Sequence, residues 1–342
     1  MTQSSSMSIR IMPYSMIVGQ TELKLALELA YVAPRLEGVL LSGQRGTAKS
    51  TAVRAFSMMV YERLPVTLPI NATEDRVVGS LDIDELLKGH KVLQTGLLHE
   101  AAGTILYIDE VNLLDDHLVN IILDVTSTGK LIVEREHLHI NEDLRFTLIG
   151  TMNPSEGGLR PQLLDRFSLM VNVVAETNEE RRTDILESVL HYDAAILLED
   201  SGQDGEPVEQ LRQARAKDQR RKKELDAAKA FFPKVVLPRE MAALCVKVGN
   251  RFQIEGHRGD YVMGLAARAR AALRGVAVVE PGDLIEVAPM ALQHRREGAV
   301  ESGGSIWSLE DTERMHKLVR DETQSVGPAS DVIGEEEGVP TR

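Results

Sequence analysis

The chain has a single cysteine in 342 residues, which excludes an internal disulfide framework and a cysteine-rich zinc site. That cysteine, Cys245, stands in AALCVKV, where a small buried hydrophobe on a helix face fits better than a nucleophile. Positive charge is also short. Lys and Arg number 39 against 52 Asp and Glu, a formal net charge of −13. A general nucleic-acid binder advertises a basic surface, so nucleic acid is not an expected partner, and only a local basic channel stays open. No apolar run reaches the length of a membrane span. The opening MTQSSSMSIR carries no apolar signal core, so a cytoplasmic protein is expected. There is no internal repeat.

What is present is ordinary in composition, 43% hydrophobic, and long enough for a sizeable core and two domains. Residues 1–14 read as a flexible lead. From 15 to about 190, short apolar runs alternate with helical patterns, as in an α/β domain with a parallel sheet. GVLLSG (38–43), TILYIDE (104–110) and FTLIGTMNP (146–154) read as buried parallel strands. LIVEREHLHI (131–140) alternates apolar and polar residues as a hairpin strand does. Residues 191–234 open on a turn-rich acidic break and continue as a charged segment of weak helical periodicity, read as a solvated helix linking two domains. An all-helical pattern fills 235–298. The tail, 299–342, holds the sole Trp, Trp307, ends in GEEEGVPTR, and reads as exposed or loosely docked.

The chemistry concentrates in SGQRGTAKST (42–51). A strand, a glycine-rich turn and a helix start direct backbone N–H groups and the positive end of a helix dipole at phosphate oxygens. Gly43, Gly46, Thr47, Lys49 and Ser50 keep the pattern G-x-x-x-x-G-K-[ST]. Lys49 would reach the outer phosphates, and the Ser50 hydroxyl would ligate Mg²⁺. Thr51 completes the nucleotide-binding stretch. Ala48 stands where the second glycine belongs. Its methyl costs little if that position is helical and more if φ is positive. Asp109 and Glu110 emerge at the carboxyl end of the apolar run ILYI, where open α/β sheets bind ligands. Asp109 would hold Mg²⁺ through its water shell, and Glu110 would orient and polarise the attacking water. ATP and Mg²⁺ are therefore the expected ligand and cofactor.

With these residues stand further stretches: IVGQTELKLALELA, LPINATEDRVVGSLDI, GLLHEAAGTILYIDEVNLLDDHLVN, VEREHLHI, GTMNPSEGGLRPQLLDRF and EGHRGDYVMGLAARARAAL. Together, over about residues 12–298 and in the same order, they resemble the ATPase subunit (small I subunit) family of magnesium chelatase, in the AAA+ superfamily. The resemblance implies a P-loop domain with a parallel sheet between helices, followed by a small all-α lid. It implies that Ile17 and Val18 flank the adenine and that Asn153 is the sensor-1 residue holding water against the γ-phosphate. Arg166 would be an arginine finger acting on the neighbouring subunit's ATP, with Asp165 steadying that interface. Arg258 would be sensor 2 on the lid, coupling ATP state to lid angle. Residues about 80–98 match an insertion in the second helix, and 131–140 match a hairpin inserted before sensor 1.

The resemblance further implies a homo-oligomeric ring, expected to be hexameric. Its partner would be a D-type subunit with a VWA (integrin I) domain, and its client a large chelatase subunit receiving Mg or Co into a tetrapyrrole. Relatives in the MoxR group serve other clients as chaperones, and that alternative shares all the chemistry. A second alternative, a nucleotide-binding ring scaffold of weak hydrolysis, rests on Ala48. Without the family pattern, Asn153 would read as a turn residue and both arginines as surface ion-pair partners. His137 and His139 share a strand face if the run is one strand, but no acidic or cysteine ligand completes a metal site, and a solvated hairpin is the reading.

Overall fold

The computed structural model describes residues 10–81, 93–135, 138–296 and 307–325. Its elements run α1 (Thr21–Val32), β1 (Val39–Ser42), α2 (Lys49–Tyr61), β2 (Val66–Leu68), α3 (Glu74–Val78), β3 (Gly79–Leu81), β4 (Leu93–Thr95), α4 (Leu97–Glu100), β5 (Ile105–Ile108), α5 (Asp116–Thr128), β6 (Lys130–Arg135), β7 (Leu138–Asp143), β8 (Thr147–Met152), α6 (Pro161–Leu164) and β9 (Leu169–Asn172). The rest is helical: α7 (Glu179–Asp200), α8 (Glu206–Phe231), α9 (Arg239–Arg251), α10 (Arg258–Leu273), α11 (Pro281–Leu292) and α12 (Leu309–Ser325).

Five strands form one sheet in the order β2-β5-β8-β1-β9, and every pairing is parallel. The strands are apolar at nearly every position because both faces are covered. Val39, Leu41, Ile105, Tyr107, Leu169 and Val171 feed one core, shared with α1, α2 and the later helices. Leu40, Leu106, Ile108, Leu148 and Met170 feed the other, under α3, α4 and α5. The period of two along each strand thus sorts side chains between two cores. α2 buries Ala52, Val53, Phe56 and Val60, one stripe at helical spacing. α5 stops at Gly129, whose φ of 68° lets its N–H close on the Val125 carbonyl.

This is the expected doubly covered parallel sheet followed by an all-helical lid, α9 to α11. The lid shares the first core with the sheet, and the alanines of α10 that are fully buried let that helix lie close to its neighbours. Cys245 is buried there, and burial pushes its thiol up to about 12, as befits an inert packing residue. Among the described residues, no helix is long and apolar enough to cross a membrane.

Several expectations change. Tyr14, read as part of a flexible lead, is buried, with its ring 5.4 Å from that of Phe56. Its backbone N–H donates to Asp218 at 2.8 Å. The segment read as a solvated linker, 191–234, takes in the end of α7 and all of α8, which packs on α1 and buries Val208, Leu211, Ala214, Leu225 and Ala228 at spacings of three and, between Ala214 and Leu225, eleven, about three helical turns. Its many charges hid that stripe, and one of them, Arg221, pairs with the buried Glu28. The tail is not loose through 307–322. Trp307 stacks on Phe252 with centroids 4.7 Å apart, Met315 and Val319 are buried, and Asp311 takes both nitrogens of Arg296. The run 131–140 is not one strand. It divides between β6 and β7, which pair antiparallel with Glu134 opposite His139 in register. His137 lies outside the described residues. Of the 80–98 insertion, β3 and β4 pair antiparallel, and 82–92 lie outside the described residues.

Candidate functional site

Because every strand of the sheet runs the same way, the loops after β1, β5 and β8 gather at one edge. That edge carries a cleft of about 310 Å³ lined by residues 45–51 with Asp109, Glu110, Thr151, Met152 and Asn153. Parallel α/β sheets place ligands at this carboxyl edge. Gly43 has no room for a side chain, since a Cβ there would fall 2.1 Å from the Val173 carbonyl oxygen. Gly46, at φ 79°, faces open space. α2 opens at Lys49, so the N–H groups of its first turn have no intrahelical acceptors and are available to an anion. Ala48 adopts φ 63°, ψ 16°. The position is left-handed rather than helical, so the methyl carries a cost of about 1–2 kcal/mol.

Lys49 folds back on the loop. Its Nζ donates to the carbonyls of Gly43 at 2.6 Å and Gln44 at 2.7 Å. Burial lowers its pKa; an arriving anion would replace those carbonyls with full negative charge and favour the ammonium. Thr47 is buried, and its hydroxyl donates to the Gln44 carbonyl. Thr51 is exposed on the first turn of α2.

Ser50 and Asp109 are joined by a residue the sequence reading passed over. Tyr107 Oη lies 2.9 Å from Ser50 Oγ and 2.9 Å from Asp109 Oδ1. With one proton it donates to the carboxylate and accepts from Ser50. Burial is the main cause pushing its phenol up to about 12, so it stays a donor at neutral pH. Thr151 donates to Asp109 at 2.6 Å and accepts the Glu110 N–H at 3.1 Å. A hydroxyl and a carboxylate so oriented, beside open backbone N–H groups and an ammonium, suit a magnesium–triphosphate. Tyr107 sits inside ILYIDE and Thr151 inside GTMNP; both were visible only as strand residues.

Glu110 also stands in the left-handed region, φ 56°, ψ 57°. Such outliers concentrate at functional sites. Its carboxylate accepts from Arg45, which also pairs with Glu156, each contact at 2.9 Å. Neither Arg45 nor Glu156 was singled out in the sequence. Asn153 lines the cleft and is buried. Its Oδ1 accepts from the backbone N–H and hydroxyl of Ser155, which leaves the amide N–H₂ as its donor toward the cleft. It is therefore both the turn residue and the cleft residue. Ile17 and Val18 do not line the cleft. Ile17 is buried in the first core, and Val18 is half-exposed. Gln20 donates from beside them to the Thr47 carbonyl at 3.5 Å.

Arg166 and Arg258 are elsewhere. Arg166 precedes β9, and Glu37 precedes β1, so both lie at the amino edge, one strand length from the cleft. A strand of four residues spans about 13 Å. Arg166 pairs with Asp124 at 2.5 Å. Arg258 pairs with Glu37 and donates to the Arg166 carbonyl at 3.0 Å. Arg258, expected as sensor 2, does stand on the lid, but α10 begins under the amino edge of the sheet, away from this chain's own cleft. Asp165, expected to steady an intersubunit contact, accepts from Arg295 of the same chain at 3.0 Å.

Comparison with known proteins follows this geometry. The family model described as AAA domain (dynein-related subfamily) matches residues 38–167, and that described as AAA lid domain matches residues 242–313. The chain is 39% identical over 333 residues to the magnesium-chelatase 38 kDa subunit of Rhodobacter capsulatus, covering 86% of this chain and 91% of that protein. It is 36% identical to the magnesium-chelatase subunit ChlI of Cyanidium caldarium, covering 83% and 89%. An uncharacterized protein of Mycobacterium tuberculosis is 42% identical over 298 residues, covering 83% of this chain, which spans only 44% of that longer protein. Among solved structures, a putative ATPase from Cytophaga hutchinsonii matches with TM-score 0.57 at 16% identity, over 92% of this chain and 91% of that one. That match speaks for the fold.

Proposed function

We propose, from the premise that this chain belongs to the magnesium-chelatase I-subunit family of AAA ATPases, that it works as a ring motor whose hydrolytic sites are completed between protomers. One observation carries the reading. The phosphate loop, Asp109, Glu110 and Asn153 share the carboxyl edge of the sheet, while Arg166 and Arg258 share the amino edge. One chain cannot bring both sets to one phosphate, whereas a closed head-to-tail ring can. Six copies are the proposed number.

In that ring Lys49 and the first-turn N–H groups of α2 bind the phosphates. Ser50 and Asp109 would hold Mg²⁺, which supplies charge neutralisation on the phosphate oxygens. Glu110, freed from Arg45, orients the attacking water and takes up its proton, with Asn153 donating from the opposite side. The neighbour's Arg166, released from Asp124, stabilises charge developing on the transferred group. The motor would act on a chelatase that inserts Mg or Co into a tetrapyrrole, through a D-type partner with a VWA domain. A structure of the complex between subunits BchI and BchD of magnesium chelatase includes a chain 39% identical to this one, covering 84% of this chain and 97% of that one, with TM-score 0.47.

Specific ATPase activity should fall on dilution as rings dissociate, and mixing Arg166→Ala with Glu110→Gln protomers should recover turnover at mixed interfaces. Activity independent of concentration, with no recovery in mixtures that still form rings, would remove the intersubunit reading. Isolation of the native complex tests the partner: recovery without a VWA-domain protein points to a MoxR-type client instead.

A further inference from the structure

The amino edge contains a cluster that the catalytic reading above leaves unused. The turn after α11, Gln293–Arg295, is buried, and every polar head in it points at residues 165–172. Arg295 donates to the carboxylate of Asp165 at 3.0 Å and to the carbonyls of Asp165 at 2.8 Å, Phe167 at 2.7 Å and Ser168 at 3.1 Å. His294 Nε2 lies 2.9 Å from the Phe167 carbonyl. Gln293 donates to the Met170 carbonyl at 2.6 Å and accepts from Asn172 at 2.7 Å. Arg258, from the start of α10, holds the remaining carbonyl, that of Arg166. Lid side chains therefore occupy the carbonyls of 165, 166, 167, 168 and 170.

We propose that Arg295 is a positioning residue for the Arg166 finger, fixing through residues 165–168 the backbone from which Arg166 reaches the neighbouring nucleotide, so that lid and finger move as one body. The proposal rests on the reading of Arg166 as a finger acting in trans. Two physical points support it. A buried guanidinium is costly unless every donor is satisfied, and here most of the donors go to the residues flanking one arginine, one nitrogen also reaching the Ala291 carbonyl at 2.5 Å and His294 Nε2 at 2.6 Å. Burial also lowers the His294 pKa well below its ordinary value, so the imidazole stays neutral and adds no second charge against Arg295. The Arg166 side chain, held at its tip only by the Asp124 ion pair, leaves from an anchored backbone. Such anchoring matters because a displacement near 1 Å at a reacting centre costs about 10²-fold in rate. Because lid and finger share the amino edge, the neighbour's nucleotide would meet both as one body.

The test uses the full chain in ATP-dependent rings. Arg295→Met should lower kcat about 10²-fold while KM for ATP changes by less than about twofold. Mixed with Lys49→Ala protomers, which have a defective loop but an intact finger, it should regain turnover, because its sound loop then meets a sound finger. Arg166→Ala mixed with the same Lys49→Ala protomers is the control. Recovery in the control but not with Arg295→Met overturns the clamp and leaves the finger standing. Failure of both mixtures removes the finger reading and the clamp with it. Wild-type kcat in Arg295→Met also overturns it. If Arg295→Met does not fold, Asp165→Asn removes one anchor at a half-exposed carboxylate. It should lower kcat about tenfold with the same pattern in mixtures, and unchanged kcat there overturns the clamp.

Discussion

The two edges of the central sheet obey opposite rules. At the carboxyl edge, two residues other than glycine, Ala48 and Glu110, sit at positive φ. There Lys49 bonds to carbonyls of its own loop and Glu110 to Arg45. On the proposed mechanism Lys49 and Glu110 exchange these contacts for the nucleotide and its attacking water. At the amino edge the carbonyls are occupied by buried lid side chains, and the tip of Arg166 stands outside them, in a half-exposed ion pair with Asp124. One edge is built to rearrange around a ligand and the other to hold geometry still. Strain where a ligand would arrive and rigidity behind Arg166 are what the proposed site between two chains would require.

The largest expected effect breaks the rigid edge at its tip. Arg166→Ala should cut kcat by about 10³–10⁵ while the affinity for ATP, measured by fluorescent-nucleotide titration, stays close to wild type. Comparable loss of affinity would mean that Arg166 serves its own chain. At the adaptable edge Glu110→Gln should reduce turnover by about 10²–10⁴ and again leave ATP bound, because the amide keeps the shape and loses the base. Lys49→Ala should act on binding itself, weakening it by about ten- to a hundredfold, the worth of charge-assisted hydrogen bonds. Retained affinity there would discredit the loop assignment.

Ala48→Gly is smaller and has the opposite sign. Relief of a left-handed alanine returns about 1–2 kcal/mol, part of which the looser unfolded chain takes back, about 0.4–1 kcal/mol. The variant should melt about 1–3 °C higher by scanning calorimetry, with turnover equal to or above wild type. A lower Tm would show that the loop depends on the methyl group.

The adaptable edge was largely legible in the sequence and the rigid one was not. A phosphate loop and a strand ending in Asp-Glu are local patterns, because adjacent residues do the chemistry. Tyr107 escaped because its value lies in bridging Ser50 and Asp109, residues brought together only by the pairing of β5 with the rest of the sheet. Arg295 escaped for the same reason more strongly. In ALQHRR it reads as the basic end of a helix, and its partners lie 127 to 130 positions away. The lid position of Arg258 was legible, but the edge of the sheet that it meets was not, because a motif carries the residue type and not the side of the domain on which its helix begins. The buried stripe of α8 and the docked tail were hidden by charge that proved to be paired.

The smallest effect asks whether the rigid edge extends into the tail. Arg296 follows Arg295 directly, and its guanidinium lies 5.1 Å from the ring centroids of both Phe252 and Trp307. Asp311 accepts from it twice, and also from the backbone N–H and hydroxyl of Ser308. The Arg296 guanidinium, first among these, holds the Asp311 carboxyl well below the usual carboxylate range. A depressed carboxyl contributes stability that is complete above its unfolded value, about 3.9, and fades as pH falls below that toward the folded value. The emission of Trp307, the sole tryptophan, should therefore be constant from neutral pH down to about 4 and shift below it as α12 loosens. Asp311→Asn should give the loosened emission already at neutral pH, with ATP turnover within about twofold of wild type, since Arg296 makes none of the contacts to residues 165–170. A large fall in turnover would instead extend the rigid edge through Arg296 into the tail, and would make α12 part of the body that carries the finger.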